Sequence, residues 1–272
     1  MNELAERDAT GEIAAIYDEI RRFCAVPYVS SMQRHLATRP GWLPWVWAAL
    51  RPAFASGRAQ EAAWRITAEV DLPRVEPVPR ESLPAWGVDA AAEARIRGIC
   101  DSFIRVSPIN LILAGLLRRL LAGERPGDTL IRERAWTPPT PLPSLPPLVA
   151  VEALPAAQRD TLLSLATMVD GRPFVPGLYR MLGHWPRFVA HVAGPLRPHL
   201  DAPATREAGQ RLLEGLDGAI PAVFATLPPV PGHPPMPPAA EFGGVLTALD
   251  AYRKTSPEMV VFSSLIRSTL PA

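Results

Sequence analysis

Cysteine is almost missing from this chain: 272 residues contain two, Cys24 and Cys100. They stand in no CxxC pair, so a disulfide framework, a cysteine-rich zinc site and a dithiol redox centre all lack their parts. Two buried thiols in a reducing cytoplasm are the expectation. An excess of one charge is missing as well. Lys+Arg at 28 against Asp+Glu at 27 leave a formal charge of +1, with no run of like charges, which argues against nucleic acid and anionic lipid as partners. The longest apolar run, INLILAGLL at 109–117, is far short of the roughly 20 residues that cross a bilayer. The opening MNELAERDATGE has neither the basic segment nor the apolar run of a secretory signal. A soluble cytoplasmic protein is therefore expected, with no membrane partner. Glycine-rich phosphate loops are absent too, since Gly215 and Gly218 in EGLDG read as a helix end followed by a turn. No serine sits in a nucleophile elbow, and no sustained alternation marks a strand.

Proline, by contrast, is abundant. Its 33 copies are more than twice the usual share of roughly 5%. They gather in LPRVEPVPRESLP (72–84), TPPTPLPSLPP (137–147) and LPPVPGHPPMPP (227–238), none of which can continue a helix. Between these joints the apolar residues fall at helical spacing. Ile13, Ile16, Tyr17 and Ile20 make one stripe; Ile109, Leu113, Leu116 and Leu120 make another. Ser107-Pro108 and Ser256-Pro257 have the form of an N-cap followed by proline at the first helical position, so each is expected to start a helix.

The chain also repeats itself. At an offset of 146, Pro27 meets Pro173, Val29 meets Val175, Arg34 meets Arg180, Leu36 meets Leu182 and Pro40 meets Pro186. At an offset of 149, Asp101 to Leu121 pairs with Asp250 to Leu270 through the shared Ser-Pro. The expected fold is all-α: a first helical repeat at 1–122, a Pro-rich linker at 123–150 and a second repeat at 151–272. Two copies are too few for a solenoid, so a pseudo-twofold packing of the halves is expected, with a shared interface.

Candidate chemistry is sparse. His184, His191 and His199 are spaced by seven and eight residues without a neighbouring carboxylate, which is no known zinc pattern. Trp42, Trp45 and Trp47 around Pro44 read as core. More informative is an asymmetry between the copies: Tyr28, Ser30, Ser31, Ser107 and Asn110 in the first align with Phe174, Pro176, Gly177, Ser256 and Met259 in the second. Polar groups on one wall and apolar ones on the other suit a pocket for a small amphipathic molecule. A decayed duplicate leaves the same pattern.

GEIAAIYDEIRRFCAVPYV (11–29), LATRPGWLP (36–44), SPINLILAGL (107–116) and HWPRFVAHVAGPLRP (184–198) resemble, in order and spacing, segments of the group I 2-haloacid dehalogenases, which act on both D and L substrates. The resemblance implies an all-helical chain of two related halves with the active site between them, a fold compared with alkylhydroperoxidase D-like proteins. It also implies a reaction without a cofactor, in which an aspartate activates water to displace halide from C2 of a short 2-haloacid. Carried onto this chain, the aspartate position is Leu178, preceded by Gly177. The water-positioning asparagine falls on Ser107, a tyrosine on Asn110, and a first-half aromatic pair on Tyr28 and Ser31. Leucine cannot accept a proton, so the base is missing. Asp170, eight residues upstream, reads as a solvated residue rather than its replacement, because the paired prolines fix the register. The expected site therefore has no catalytic residue and no metal. Tyr28, Ser31, Ser107, Asn110, Gly177 and Leu178 are expected to line a pocket for a small carboxylic acid or halo-acid. Three functions stay open: a dehalogenase with another base, a hydrolase or lyase of different chemistry, and a non-catalytic binding or scaffold protein. A homodimer is left open as well.

Overall fold

The computed structural model describes residues 2–127, 136–169 and 171–271. Along the chain run α1 (Gly11–Cys24), α2 (Ser31–Leu36), α3 (Trp42–Ala55), α4 (Arg58–Ala68), α5 (Ser82–Ala85) and α6 (Ala90–Leu121). After the Pro-rich stretch come α7 (Ala156–Ser164), β1 (Thr167–Val169), β2 (Arg172–Phe174), α8 (Gly177–Leu182), α9 (Pro186–Ala193), α10 (Arg197–Leu200), α11 (Pro203–Phe224) and α12 (Phe242–Thr269). The fold is all-α, as the apolar spacing implied. The small hairpin of antiparallel β1 and β2 is an addition, because strands of three residues are too short to show alternation. Asp170 lies outside the described residues.

The chain divides into two compact units. One comprises Met1–Val70, Arg105–Pro141 and Arg211–Pro257; the other comprises Asp71–Ile104, Leu142–Gln210 and Glu258–Ala272. Each unit takes chain from both sides of residues 123–150, so the compact units differ from the sequence halves 1–122 and 151–272.

In the first unit, α1 buries Ile16, Tyr17, Ile20, Phe23 and Cys24 and packs on α3. Gly41 precedes α3 with φ 76°, a left-handed conformation that costs any residue with a Cβ roughly 1 kcal/mol or more. Trp42, Trp45 and Trp47 are buried in α3. The Trp42 ring meets Trp45 edge-on at 6.2 Å and Phe242 at 5.9 Å, and its Nε1 donates to Glu241 Oε2 at 2.7 Å. The expected stripe on α6, Ile109, Leu113, Leu116 and Leu120, is fully buried. Burial of each such side chain stabilises by about 1.5–3 kcal/mol. α6 is long and apolar enough to cross a membrane, yet 78% of its apolar window is buried within the protein, as in a core helix. The second unit has its own core, with Leu162 on α7, Leu178 and Leu182 on α8, and Phe188, Val189 and Val192 on α9.

Three local expectations are corrected. Pro108 and Pro257 stand inside α6 and α12, so Ser107 and Ser256 start no helix. An interior proline costs about 3 kcal/mol, and in α6 the buried side chains on either side of it, from Ile96 and Ile99 to Ile109 and Leu113, offset that cost. Trp64 Nε1 donates to the Arg105 carbonyl at 2.9 Å, giving the disturbed turn a partner outside the helix. Gly215 and Gly218 likewise lie inside α11. A Cβ at Gly215 would come within 2.9 Å of Ile66 Cγ2, so the glycine serves close packing against α4 rather than a turn.

Gly115 is tighter still, because a Cβ there would overlap the Ile220 side chain of α11. Gly115→Ala should lower stability by about 1–3 kcal/mol through overpacking, outweighing the roughly 1 kcal/mol that alanine gains in helix propensity. Adding Ile220→Val should recover part of the loss in urea unfolding. A more stable Gly115→Ala would show that the two helices do not approach so closely.

Between α1 and α3, Glu19 accepts from Arg51 Nε and Nη2 at 2.7 and 2.6 Å and from Trp47 Nε1 at 2.8 Å. Its carboxyl is pushed down to about 2, chiefly by the Arg51 hydrogen bonds and against the effect of burial. A lowered folded pKa contributes stability above the ordinary value of 4.5 that is lost as pH falls toward 2. Glu19→Gln should therefore be less stable than the parent at neutral pH, with the gap closing as the solution is acidified. An unchanging gap would contradict this account.

Candidate functional site

The most polar part of the buried interior belongs to the first unit and is built around the loop between α1 and α2. Ala25 ends α1 in a left-handed conformation, φ 52°, and its carbonyl accepts from Arg105 Nη1 at 2.9 Å. Four residues on, the Val29 amide donates to Glu6 Oε1 at 2.9 Å, while Arg21 takes Glu6 Oε2. Held at both ends, the loop presents Tyr28 and Ser30.

Ser30 is the N-cap of α2 but makes no capping bond to the helix backbone. Its hydroxyl instead donates to Gln33 Oε1 at 2.5 Å, a diversion from the usual role of a serine at this place. Gln33 Nε2 then donates to Asn110 Oδ1 at 2.6 Å. Ser30, Gln33 and Asn110 are all buried. Asn110 lies three residues after buried Ser107, on the same face of α6. The relay ends at Asn110, whose side chain lies within hydrogen-bonding reach of Tyr252.

Beside that amide stands the Tyr252 phenol of α12. Burial raises its pKa, while the side chains of Ser256, Ser30 and Asn110 act in the opposite sense. Tyr252 and Ser256 are four residues apart, hence on one helical face. Tyr28, half-exposed as a residue, has its phenol raised well above the ordinary 10 by burial first and by Tyr252 second. Arg34 and Glu6 act on it with opposite signs. Both phenols therefore stay protonated at neutral pH. The cluster offers hydroxyl and amide groups, and the Glu6 oxygens beside it are taken by Arg21 and Val29.

Of the expected lining residues, Tyr28 and Asn110 both lie near Tyr252, Ser107 is buried one turn before Asn110, and Ser31 is the partly exposed first residue of α2. Gly177 and Leu178 open α8 in the other unit, where Leu178 is completely buried. A Cβ on Gly177 would meet Phe103 and Leu148 at ordinary contact distance, 3.6 and 3.7 Å. Next to them Tyr179 is buried, its phenol raised first by burial and then by the Glu258 carboxylate. Gln33, Tyr252 and the tyrosine-bound role of Ser256 were not anticipated. The available signals were weak: a glutamine three residues after a serine, and a tyrosine four residues before one.

The remaining candidates resolve structurally. His184 bonds the Pro147 carbonyl at 2.8 Å, His191 stacks on Trp86 at 4.5 Å, and the His199 carbonyl accepts from Thr205 Oγ1. No group of three or more metal-ligating side chains occurs among the described residues. Cys24 and Cys100 are buried and free, and burial pushes both thiols up to about 12. Two open cavities of the first unit lie elsewhere. One, about 360 Å³, is bordered by Arg65, Glu69 and Arg211; the other, about 340 Å³, by Trp45, Arg125 and Met236.

Comparison with known proteins shows what the chain is similar to. The family model described as halocarboxylic acid dehydrogenase DehI matches residues 27–140, which contain Tyr28, Ser107 and Asn110. The chain is 33% identical over 113 residues to a configuration-inverting 2-haloacid dehalogenase of Alcaligenes xylosoxydans xylosoxydans, a stretch covering 41% of this chain and only 38% of that relative. It is 23% identical to an (R)-2-haloacid dehalogenase of Pseudomonas putida, over 80% of this chain and 76% of the relative. Among solved structures, a D-2-haloacid dehalogenase mutant in complex with D-2-CPA aligns with a TM-score of 0.69 at 18% identity, covering 100% of this chain and 96% of the other. The same type of enzyme with L-LA aligns at 0.63 and 19%, covering 99% and 94%. At those identities the structural likeness is one of fold. The chain is thus 2-haloacid dehalogenase-like, and the relatives' names do not single out the group that takes both configurations.

All four tyrosines of the chain have raised phenols. Native protein brought to pH 10 should show little phenolate absorbance, whereas unfolded protein should be about half ionised, since the ordinary value is 10.0. Raised pKa values leave stability intact below pH 10 and reduce it above, because only the unfolded chain releases those protons. Substantial phenolate in native protein at pH 10 would mean that the cluster is open to water.

Proposed function

We propose that this chain is a 2-haloacid dehalogenase-like protein that binds a short carboxylic acid in the first unit, at the cluster of Tyr28, Ser107, Asn110 and Tyr252. On this reading it releases little or no halide. The observation that carries the reading is chemical. Where the family resemblance implies an aspartate, the chain has the fully buried Leu178, while the neutral cluster around Asn110 supplies donors for an acceptor but nothing that takes a proton from water. The likeness to enzymes whose names specify 2-haloacids supports a short 2-substituted acid as the ligand class. Loss of a general base typically removes 10² to 10⁴-fold in rate, and serine at 107 reaches less far than asparagine toward a water.

The test has two parts. In a thermal-shift screen, a ligand that binds only the folded state must raise the Tm, and short carboxylates with and without a 2-halogen should do so. Halide release from D- and L-2-chloropropionate should be close to the uncatalysed rate, both configurations being assayed because the resemblance is to a group that takes both. Leu178→Asp combined with Ser107→Asn should raise release above the parent, after circular dichroism confirms folding, since burying a carboxylate is costly. Brisk release by the unmodified chain would sink the reading. The cluster also favours a second reading, a lyase or hydrolase of other chemistry in which a protonated tyrosine is the acid. Turnover of a halogen-free acid that is lost in Tyr252→Phe would favour it.

A further inference from the structure

We propose that the cavity bordered by Trp45, Arg125 and Met236 binds a monocarboxylate with an aromatic body, held by the Trp45 indole N–H and the Arg125 guanidinium. This cavity of the first unit shares no residue with the Tyr28 cluster, so the proposal does not rest on the small-acid reading above. The neighbouring indoles of α3 show what this one lacks. Trp42 Nε1 donates to Glu241 Oε2 at 2.7 Å and Trp47 Nε1 to Glu19 Oε2 at 2.8 Å. Trp45 is only 2% exposed, yet its Nε1 has no hydrogen-bond partner among the described residues. That nitrogen is not one of the sealed, partnerless side-chain atoms, so it keeps part of the small exposure of the residue, and the opening that Trp45 borders is this cavity. An indole N–H can only donate. Water or a ligand in the cavity is what can accept from it, and a donor in so buried a residue gains from a lasting acceptor.

Arg125 supplies the charge. Its Nη1 donates to the Glu124 carbonyl at 2.9 Å and to that of Leu120 at 3.4 Å, while the Glu124 carboxylate pairs with Arg119 instead. A guanidinium has five N–H donors in a planar fork, so Nε and Nη2 remain for an acceptor. A carboxylate suits this donor set, and the chain already holds one in the same way: Glu19 accepts from Arg51 Nε and Nη2 and from the Trp47 indole. The remaining walls, among them Pro231, Pro235 and Met236, carry no charge. Flat rings and a thioether favour an aromatic body on the acid. The volume, about 340 Å³, falls within the roughly 300–1,000 Å³ of small-molecule pockets.

The experiment titrates the ¹⁵N-labelled full chain with phenylacetate, phenylacetamide and propionate, following the assigned indole N–H signals of its seven tryptophans. Phenylacetate should move the Trp45 signal more than any other and do so saturably. Phenylacetamide lacks the charge and propionate lacks the ring, so each should bind roughly 10-fold or more weakly. Arg125→Gln, at an exposed position, should weaken phenylacetate by roughly 10-fold, as expected for loss of a hydrogen bond to a charged group, and change phenylacetamide little. A Trp45 signal that stays in place while phenylacetate binds would put the ligand elsewhere and overturn the proposal, as would no binding of phenylacetate. An equal loss of both aromatic probes in Arg125→Gln would overturn the role of the guanidinium. Propionate binding as tightly as phenylacetate would overturn the aromatic class. The parent titration needs no variant, so a failure of Arg125→Gln to fold by circular dichroism leaves the Trp45 signal to decide.

Discussion

A helix with proline in its interior has one turn that it cannot close by itself, and in α6 that turn organises the candidate site. Pro108 has no amide hydrogen, and its ring crowds the carbonyl one turn back. The neighbouring Arg105 carbonyl is met by the Trp64 indole, and the Arg105 guanidinium reaches out to the Ala25 and Thr140 carbonyls, at 2.9 Å each. Through Ala25 the turn fixes the loop that carries Tyr28 and Ser30. Through the next residues of the helix it supplies Ser107 and Asn110. A regular helix at this place would have its backbone groups used internally, with less reason to recruit Trp64.

The electrostatic character of the cluster follows from what is absent around it. Burial favours the neutral form of a phenol, so Tyr28 and Tyr252 remain donors over the whole physiological range. Glu6 is committed to the loop backbone and to Arg21. Such a site can hold and polarise an acceptor, since each buried donor gains from a partner that water does not supply.

Much of this was legible in the sequence, and the parts that were not have physical reasons. The stripe on α6 and the buried tryptophans of α3 followed from spacing alone, because apolar periodicity reports burial directly. Pro108 and Pro257 misled, since the rule that proline opens a helix is local while the packing that retains it mid-helix is tertiary. Gly215 misled for the same reason: its role is set by Ile66, far away in sequence. Tyr28, Ser107 and Asn110 share the first unit, but Gln33 and Tyr252 could not be chosen from sequence, because no local pattern separates the polar side chain that turns inward from one that faces solvent.

α2 and α8 show why the polar chemistry sits where it does. Both are six residues long, and they begin 146 positions apart. At the N-cap α2 has Ser30, whereas α8 has Pro176, which offers neither a hydroxyl nor an amide hydrogen. Three residues on, α2 has Gln33, able to donate and accept at once, and α8 has Tyr179, a longer group with a single hydroxyl. The 149-residue offset in sequence pairs Asn110 with Met259. Each change by itself would leave a buried polar atom unsatisfied, at about 1–3 kcal/mol. Pro176 and Met259 leave no side-chain hydroxyl or amide at the serine and asparagine positions, whereas the buried phenol of Tyr179 keeps a polar atom at the glutamine position.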